Sequence, residues 1–125
     1  MKPIELTYLA CPFRHEDPVI MKKRCAAAHY VTAKLSSQGR HIFSPLTHNE
    51  VLVDLCPNIP GEYWMQFDLT ILSMCQCLLI LTMEGWEASK GVQREIVLAK
   101  QKGLLIETIT PPEESAYASC MRSFA

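Results

Sequence analysis

Long apolar segments and an excess of one charge are both missing from this sequence. No stretch approaches the roughly 18 consecutive apolar residues that a membrane-spanning helix needs, and the opening MKPIE does not resemble a signal peptide. The net charge is -1, which gives no electrostatic reason to expect nucleic acid or an anionic membrane as a partner. We therefore expect a cytoplasmic protein that binds neither.

Glycine-rich phosphate motifs are also missing. The chain has no G-x-G-x-x-G, no P-loop and no G-x-S-x-G motif. A dinucleotide-binding site, a Walker-type nucleotide site and the nucleophile elbow of a hydrolase are therefore not indicated. Among its six cysteines, Cys75 and Cys77 are not spaced as in a zinc ribbon, and no second Cys/His pair lies at a suitable distance. We predict no metal and no other cofactor, and reduced thiols that pack mostly as small core residues.

What the sequence contains is the composition of an ordinary globular domain. Its 125 residues are 49% apolar and 20% charged. A chain of this size can bury a core of its own without disulfides. We predict a single domain over residues 1–125.

Short apolar runs alternate with helix-like segments along the chain. The predicted strands cover residues 4–10, 41–43, 77–83 and 104–109, and the predicted helices cover residues 18–38, 61–74, 89–102 and 113–122. The proline-bearing segment 46–60 is expected to be an irregular, functional loop, and the apolar helix 61–74 is expected either in the core or in a subunit contact. This alternation predicts an α/β fold, Rossmann- or flavodoxin-like, with a parallel sheet of four to five strands and helices on both faces.

In such folds ligands bind beyond the carboxyl ends of the strands, and the helix start at Ser89 lies in such a place. Ser89 is the predicted N-cap, and Gly91 falls in the first turn, where glycine costs about 1 kcal/mol relative to alanine. A close ligand or tight helix–strand packing would each explain that glycine, and the unpaired N–H groups of the turn suit a phosphate or carboxylate. Glu95 is expected beside the buried stripe, near the cleft, with the helix start favouring its ionised form. A solvated surface glutamate is the other interpretation of Glu95.

Other residues near the strand ends also allow two interpretations. Asp68 is the only charged residue between Glu62 and Glu84, so it is either a functional carboxylate or part of a solvated stripe. Tyr8 belongs either to the core or to the site. His48 is a base, a substrate contact or a plain loop residue, and Arg14 either meets an anion or is solvated. Each tryptophan either stacks on a base or packs against its neighbours.

Together these residues form a familiar pattern. The sequence resembles the nucleoside 2-deoxyribosyltransferase-like superfamily, and within it the uncharacterised family DUF1937. The matching segments are YLACP at residues 8–12, FSPLTH at 43–48, WMQFD at 64–68 and GWEASKGVQRE at 85–95.

The resemblance implies an enzyme that cleaves the N-glycosidic bond of a nucleoside or nucleotide, or transfers its sugar to another base. It implies Glu95 as the nucleophile, Asp68 as acid/base or orienting residue, and Tyr8 as a hydrogen-bond partner of Glu95 or the sugar. An ionised carboxylate suits this chemistry because positive charge develops on the sugar as the C1′–N bond breaks. The resemblance also implies a homodimer or higher homo-oligomer. The expected substrate contacts are Ser89, Gly91, Cys11, Pro12, Phe13, Arg14, His48 and Trp86.

The loop after the first strand departs from the family pattern. Nucleotide-cleaving members have a Gly/Ser-rich loop there, whereas Pro12 lacks an N–H donor and Phe13 adds bulk. Either Arg14 takes over phosphate binding or the substrate lacks a phosphate. The same departure favours an alternative, a non-catalytic nucleotide-binding module. Cys75 and Cys77 leave a third alternative, a thiol-based function.

Overall fold

Four parallel strands form the single sheet found in the computed structural model, which describes residues 3–121. The strands are β1 (Leu6–Ala10), β2 (His41–Phe43), β3 (Cys77–Leu81) and β4 (Leu105–Ile109), and their spatial order is β2-β1-β3-β4. The helices in the described part are α1 (Pro18–Ser37), α2 (Pro45–Leu55), α3 (Gly61–Ser73), α4 (Lys90–Lys102) and α5 (Glu114–Tyr117). All strand pairs are parallel, which confirms the predicted α/β architecture.

The sheet separates two apolar clusters. Side chains alternate between its faces along each strand, and every residue of β3 is buried, as expected for a central strand covered on both sides. Leu9 and Leu79 pack with α1 and α5 on one face, while Tyr8 and Leu78 pack with α3 and α4 on the other. Helices therefore cover both faces of the sheet.

The direction of the strand order reverses between β1 and β3. The chain runs from β1 outward to β2, then returns past β1 to β3 and continues to β4. Ala10 at the end of β1 is in register with Ile80 of β3, so the loops after these strands leave the sheet side by side. Such a switch point is where open α/β sheets bind their ligands.

Two long helices begin and end where the sequence predicts. The Asp17 side chain accepts a hydrogen bond from the N–H of Val19 at 2.9 Å, and Pro18 occupies the first position of α1. Ser89 caps α4 in the same way, and Gly103 ends it with a left-handed φ of 69°. These caps confirm the predicted boundaries.

The prediction of an irregular loop over residues 46–60 is wrong, because most of that segment is α2. The hydroxyl of Ser44 accepts a hydrogen bond from the N–H of Thr47 at 3.3 Å, and Pro45 fills the first helical position. A proline at this position starts a helix because its missing N–H needs no partner there. Only residues 56–60 of the segment lack regular structure.

Helix α3 is less buried than its composition predicts. Leu72 is its only buried residue, whereas Tyr63 is 47% exposed and Met74, just past its end, is 57% exposed. Burial of the whole helix within the core is therefore wrong, and a subunit contact stays a prediction. Within residues 3–121, neither α3 nor any other helix is long and apolar enough to cross a bilayer.

The C-terminal segment is only partly helical. Helix α5 has four residues and continues into a 3₁₀-helical turn, Ala118–Cys120. Tyr117 is buried against the α1 side of the sheet. The predicted helix over 113–122 is therefore too long, and its last residue, Arg122, lies outside the described residues.

Candidate active site

A cavity of about 990 Å³ lies beyond the carboxyl end of β1. Its walls come from the loop after β1, from α1, α2 and α3, and from the first turns of α4. Seven of the candidate residues line it together: Cys11, Phe13, Arg14, Asp68, Ser89, Gly91 and Glu95. The fold thus brings residues from three distant segments of the sequence to one site.

Glu95 is largely buried and faces this cavity. Its neighbours on α4, Val92 and Ala99, are buried in the core, so the helix presents Glu95 at the edge of that buried stripe, as predicted. The hydroxyl of Tyr8 donates a hydrogen bond to Oε2 of Glu95. Tyr8 is itself fully buried and does not line the cavity. The expected hydrogen-bond partner of Tyr8 is either Glu95 or the sugar, and the structure shows the bond to Glu95.

Burial raises the pKa of Glu95 to about 8. The Tyr8 hydrogen bond and the positive charge of Arg94 lower this pKa, and the nearby Asp68 carboxylate raises it. The expectation that the helix start keeps Glu95 ionised is therefore wrong. Glu95 lies beyond the first turn of α4, where the helix dipole fades, and loss of solvent outweighs it. The same burial raises the pKa of Tyr8.

Asp68 reaches the cavity from α3 and is held by Asn49 of α2. The Nδ2 atom of Asn49 donates to Oδ1 of Asp68 at 3.0 Å and to Oδ2 at 3.3 Å. Burial raises the pKa of Asp68, while the Asn49 hydrogen bond and the proximity of His48 act in the opposite direction. Asp68 is therefore a partly buried site carboxylate, and its interpretation as a solvated stripe residue is wrong.

His48 does not line the cavity, and its role as a substrate contact stays a prediction. Its side chain is exposed and its ring stacks on Phe67, with ring centroids 5.4 Å apart. The Nδ1 atom of His48 lies 2.7 Å from Oδ1 of Asn49. His48 is thus separated from Asp68 by one side chain.

Pro12 and Trp86 do not line the cavity either, so their roles as substrate contacts stay predictions. Pro12 is fully buried, because the chain turns inward at the end of β1, and it does not line the cavity. Trp86 lies in the 3₁₀-helical turn Trp86–Ala88 and packs against the cluster around Tyr8. The tryptophan that does line the cavity is Trp64.

The start of α4 leaves open space at Gly91. A Cβ atom added there would have only Oγ of Ser89 within 4 Å, at an ordinary contact distance of 3.9 Å. Tight helix–strand packing therefore does not require this glycine. Of the two reasons considered for it, close approach of a ligand is the one compatible with the structure, since Gly91 lines the cavity.

The cavity carries charge of both signs. Its basic residues are Arg14, Lys22, Lys90 and Arg94, and its acidic residues are Glu50, Asp54, Asp68 and Glu95. Such a lining suits a polar ligand that combines an anionic group with hydrogen-bond donors. Within residues 3–121, no three His, Cys, Asp or Glu side chains are grouped closely enough to hold a metal ion.

The cavity thiols are not activated. Cys11 and Cys25 both line the cavity, and burial raises the pKa of each, that of Cys25 to about 12. Burial also raises the pKa of Cys75, and that of Cys77 to about 11. These cysteines are neutral thiols at physiological pH, which argues against a thiol-based function.

Sequence reasoning missed Arg24, which joins the two loops at the switch point. Arg24 is only 6% exposed and donates to the carbonyl oxygens of Arg14 at 2.9 Å and Glu84 at 2.7 Å. The first carbonyl belongs to the loop after β1 and the second to the loop after β3. The sequence does contain a signal for Arg24, because it is a charged residue on the buried face of α1, between Ile20 and Ala27.

It also missed the polar contacts of α2. Residues 46, 49, 50, 53 and 54 all line the cavity, at the spacing of one helix face. Asn49 binds Asp68 of α3, and the next residue, Glu50, binds His29 of α1. The helical spacing itself could have revealed this face, had the segment been recognised as a helix.

The parallel sheet and the carboxyl groups at its switch point define an α/β domain with a candidate active site. The chain belongs to the family described as Domain of unknown function (DUF1937), whose model matches residues 5–109. The match runs from β1 to β4 and includes all the candidate residues. No curated protein compared with the chain matches it significantly.

Proposed function

We propose that this protein cleaves the N-glycosidic bond of a nucleoside or nucleotide, by hydrolysis or by transfer of the sugar to another base. The observation that carries the proposal is the Glu95 carboxyl group, which faces the cavity with the Tyr8 hydroxyl bound to it. Asp68 lies near enough to influence its pKa. Two carboxyl groups with different environments are the usual equipment for breaking a glycosidic bond.

In this proposal Glu95 is the nucleophile. Its ionised carboxylate forms a bond to C1′ while the C1′–N bond breaks and the electron pair leaves with the base. In the first step Asp68 either donates a proton to the leaving base or orients that base. In the second step it removes a proton from the water or acceptor base that displaces Glu95 from C1′. The hydrogen bond from Tyr8 keeps the Glu95 carboxylate in position, and the turn at Ser89 and Gly91 binds the sugar end of the substrate.

The link to the nucleoside 2-deoxyribosyltransferase-like superfamily is part of the proposal. It is supported by the positions of Tyr8, Asp68 and Glu95, which lie at one site in the arrangement that the resemblance implies. The four basic residues at the cavity support a substrate with an anionic group. Arg14 lines the cavity where the Gly/Ser-rich loop is missing, so it is the residue we expect to replace that loop.

A nucleoside and nucleotide panel tests the proposal. Purified protein is incubated with ribo- and deoxyribonucleosides and their 5′-monophosphates, with and without a second base, and free base is separated by chromatography. We expect base release from at least one compound and loss of that release in E95A. The matched control is E113A, since Glu113 is exposed and does not line the cavity. Release that survives in E95A would refute the assignment.

A non-catalytic nucleotide-binding module is the second candidate. The observation that favours it is the raised pKa of Glu95, because a group with a pKa of about 8 is mostly protonated at pH 7. This candidate expects a nucleotide to raise the melting temperature while no base is released from any member of the panel.

We also propose that the protein forms a homodimer or higher homo-oligomer through α3 and α4. Between these helices lies an open groove with apolar residues that include Leu69, Val97 and Leu98. Val97 is 55% exposed and, with Tyr63 of α3, leaves apolar surface uncovered in a single chain. Sedimentation equilibrium of wild type and V97K tests this, because a buried lysine would weaken such a contact.

A further inference from the structure

We propose that Asn49 is the positioning residue of the site: it fixes the Asp68 carboxylate from the opposite wall of the cavity, and His48 in turn orients Asn49. The role of Asp68 in the reaction rests on the proposed function. The contact between the two side chains can be tested without it.

The hydrogen bonds determine how the Asn49 amide is oriented. An ionised carboxylate only accepts hydrogen bonds, so the amide nitrogen of Asn49 must face Asp68, which it contacts at 3.0 and 3.3 Å. The amide oxygen then faces His48 at 2.7 Å and accepts, so Nδ1 of His48 carries the hydrogen. Stacking on Phe67 holds the histidine ring in place for this bond.

Burial makes the choice of asparagine informative. Asn49 is 8% exposed and, apart from Pro45, is the only buried residue of α2. A buried amide is costly unless its hydrogen bonds are made, and an apolar side chain would pack there at a lower cost. Both polar ends of Asn49 have partners, and one of them is a cavity carboxylate. We therefore assign Asn49 to the site and not to the stability of α2.

Of the groups near Asp68, Asn49 is the one that donates to it directly. His48 of α2, Glu95 of α4 and Tyr8 of β1 interact with it electrostatically. The other charged residues that line the cavity are Arg14, Lys22, Glu50, Asp54, Lys90 and Arg94. Removing the Asn49 donor takes away the larger of the two effects that oppose burial, so the protonation of Asp68 shifts to higher pH. Protonated Asp68 no longer repels charge on Glu95, whose own ionisation then shifts to lower pH.

The first measurement is a ¹³C-carboxyl NMR titration of the free protein. In N49L, which keeps the branched shape of the side chain but removes its donor, we expect the midpoint of Asp68 to rise by about one pH unit. The control is N58A, in the exposed segment between α2 and α3, which should leave the midpoint unchanged. An unchanged midpoint in N49L would overturn the proposal.

His48→Phe leaves the buried Asn49 unchanged and tests the other half of the proposal, the orienting role of His48. Phenylalanine preserves the stack on Phe67 but removes the Nδ1–H donor, so the Asn49 amide loses its orienting partner. We expect H48F to raise the Asp68 midpoint, by less than N49L does, because it removes both the donor to Asn49 and the direct effect of His48 on the Asp68 pKa. An unchanged midpoint in H48F would overturn the orienting role of His48, even if N49L failed to fold.

Kinetics connect the contact to the reaction. With a substrate from the panel, we expect N49L to lower kcat at least tenfold with little change in KM, because Asn49 acts on Asp68 and not on the ligand. Full kcat in N49L would overturn the positioning role. If wild type releases no base from any compound, the proposed function fails, whereas the titration still decides whether Asn49 controls Asp68.

Discussion

The hydroxyl of Tyr8 and the carboxyl group of Glu95 are joined by a hydrogen bond that connects β1 to α4. Tyr8 is fully buried in the sheet, so the donor cannot turn towards another acceptor. Because burial raises the pKa of both groups, the proton stays on Tyr8, and Glu95 is the member of the pair that titrates near neutral pH. The sheet thus holds one oxygen of the carboxyl group while the cavity lies open beside it.

Base release is expected to rise with pH. Glu95 attacks only when it is ionised, so the contribution of the nucleophile to kcat/KM should increase about tenfold per unit below a pH of about 8 and level off above it. Y8F removes the hydrogen bond that lowers this pKa, and the inflection should move to higher pH. The check is kcat/KM across the pH range, with Y30F on α1, outside the cavity lining, as the control. An inflection near 4.5, the ordinary value for a glutamate, would contradict the prediction.

Glu95 is expected to reduce stability at alkaline pH. Its pKa is higher in the folded than in the unfolded chain, so the unfolded chain loses its proton first. The free energy of unfolding therefore falls as pH rises from about 4.5 to about 8 and levels off above that. E95Q removes this effect and should be more stable than wild type at pH 9 by about 1–4 kcal/mol. Urea unfolding at pH 9 and pH 4 tests it, and equal gains at both pH values would argue against it.

Gly91→Ala is expected to separate stability from binding. The added Cβ has room and alanine favours the helix, so the free energy of unfolding should rise by about 0.5–1 kcal/mol. The same methyl group enters the cavity, and ligand affinity should fall. Chemical denaturation and calorimetric titration with the best nucleotide of the panel measure the two effects. Unchanged affinity would mean that no ligand approaches this turn.

Gly85 and Gly39 form a matched pair. Both have left-handed backbones, with φ of 88° and 91°. A Cβ at Gly85 would lie 2.9 Å from Nη2 of Arg24, whereas one at Gly39 has nothing within 4 Å. Each alanine variant should lose about 1 kcal/mol from backbone strain, and G85A should lose more because it displaces Arg24. Equal losses in thermal or urea unfolding would show that Arg24 gives way freely.

Cys56 is expected to be the most reactive thiol. It is exposed, whereas Cys25, Cys75 and Cys77 are buried with raised pKa values. Alkylation at pH 8 should label Cys56 first, as detected by peptide mass spectrometry. The C56S variant should lose the fast phase of alkylation. Rapid labelling of Cys75 or Cys77 would revive the thiol-based alternative.

The strands and most helices could be predicted because their signals are local. Continuous apolar runs mark buried parallel strands, and Asp17 and Ser89 mark helix starts. Helix α2 is not predicted because prolines occur throughout the segment around it. The pair Ser44-Pro45 is the same kind of start as Asp17-Pro18, and only the prolines that follow hid it.

The site could be predicted only in part. Glu95, Asp68 and Tyr8 lie at strand ends or on helices, where backbone geometry brings their side chains together. Pro12 and Trp86 lie in turns, where the direction of a side chain depends on how the turn folds back. The protonation of Glu95 could not be predicted either, because its burial arises from segments far away in the sequence.

Helix α2 makes contacts to both sides of the sheet through two consecutive residues. Asn49 binds Asp68 of α3, on one layer, and Glu50 binds His29 of α1, on the other. The sheet keeps these layers apart everywhere below its carboxyl edge. Asp68 and His29 belong to opposite layers and are therefore joined through adjacent residues of α2, so any movement of this helix would alter a contact in each layer.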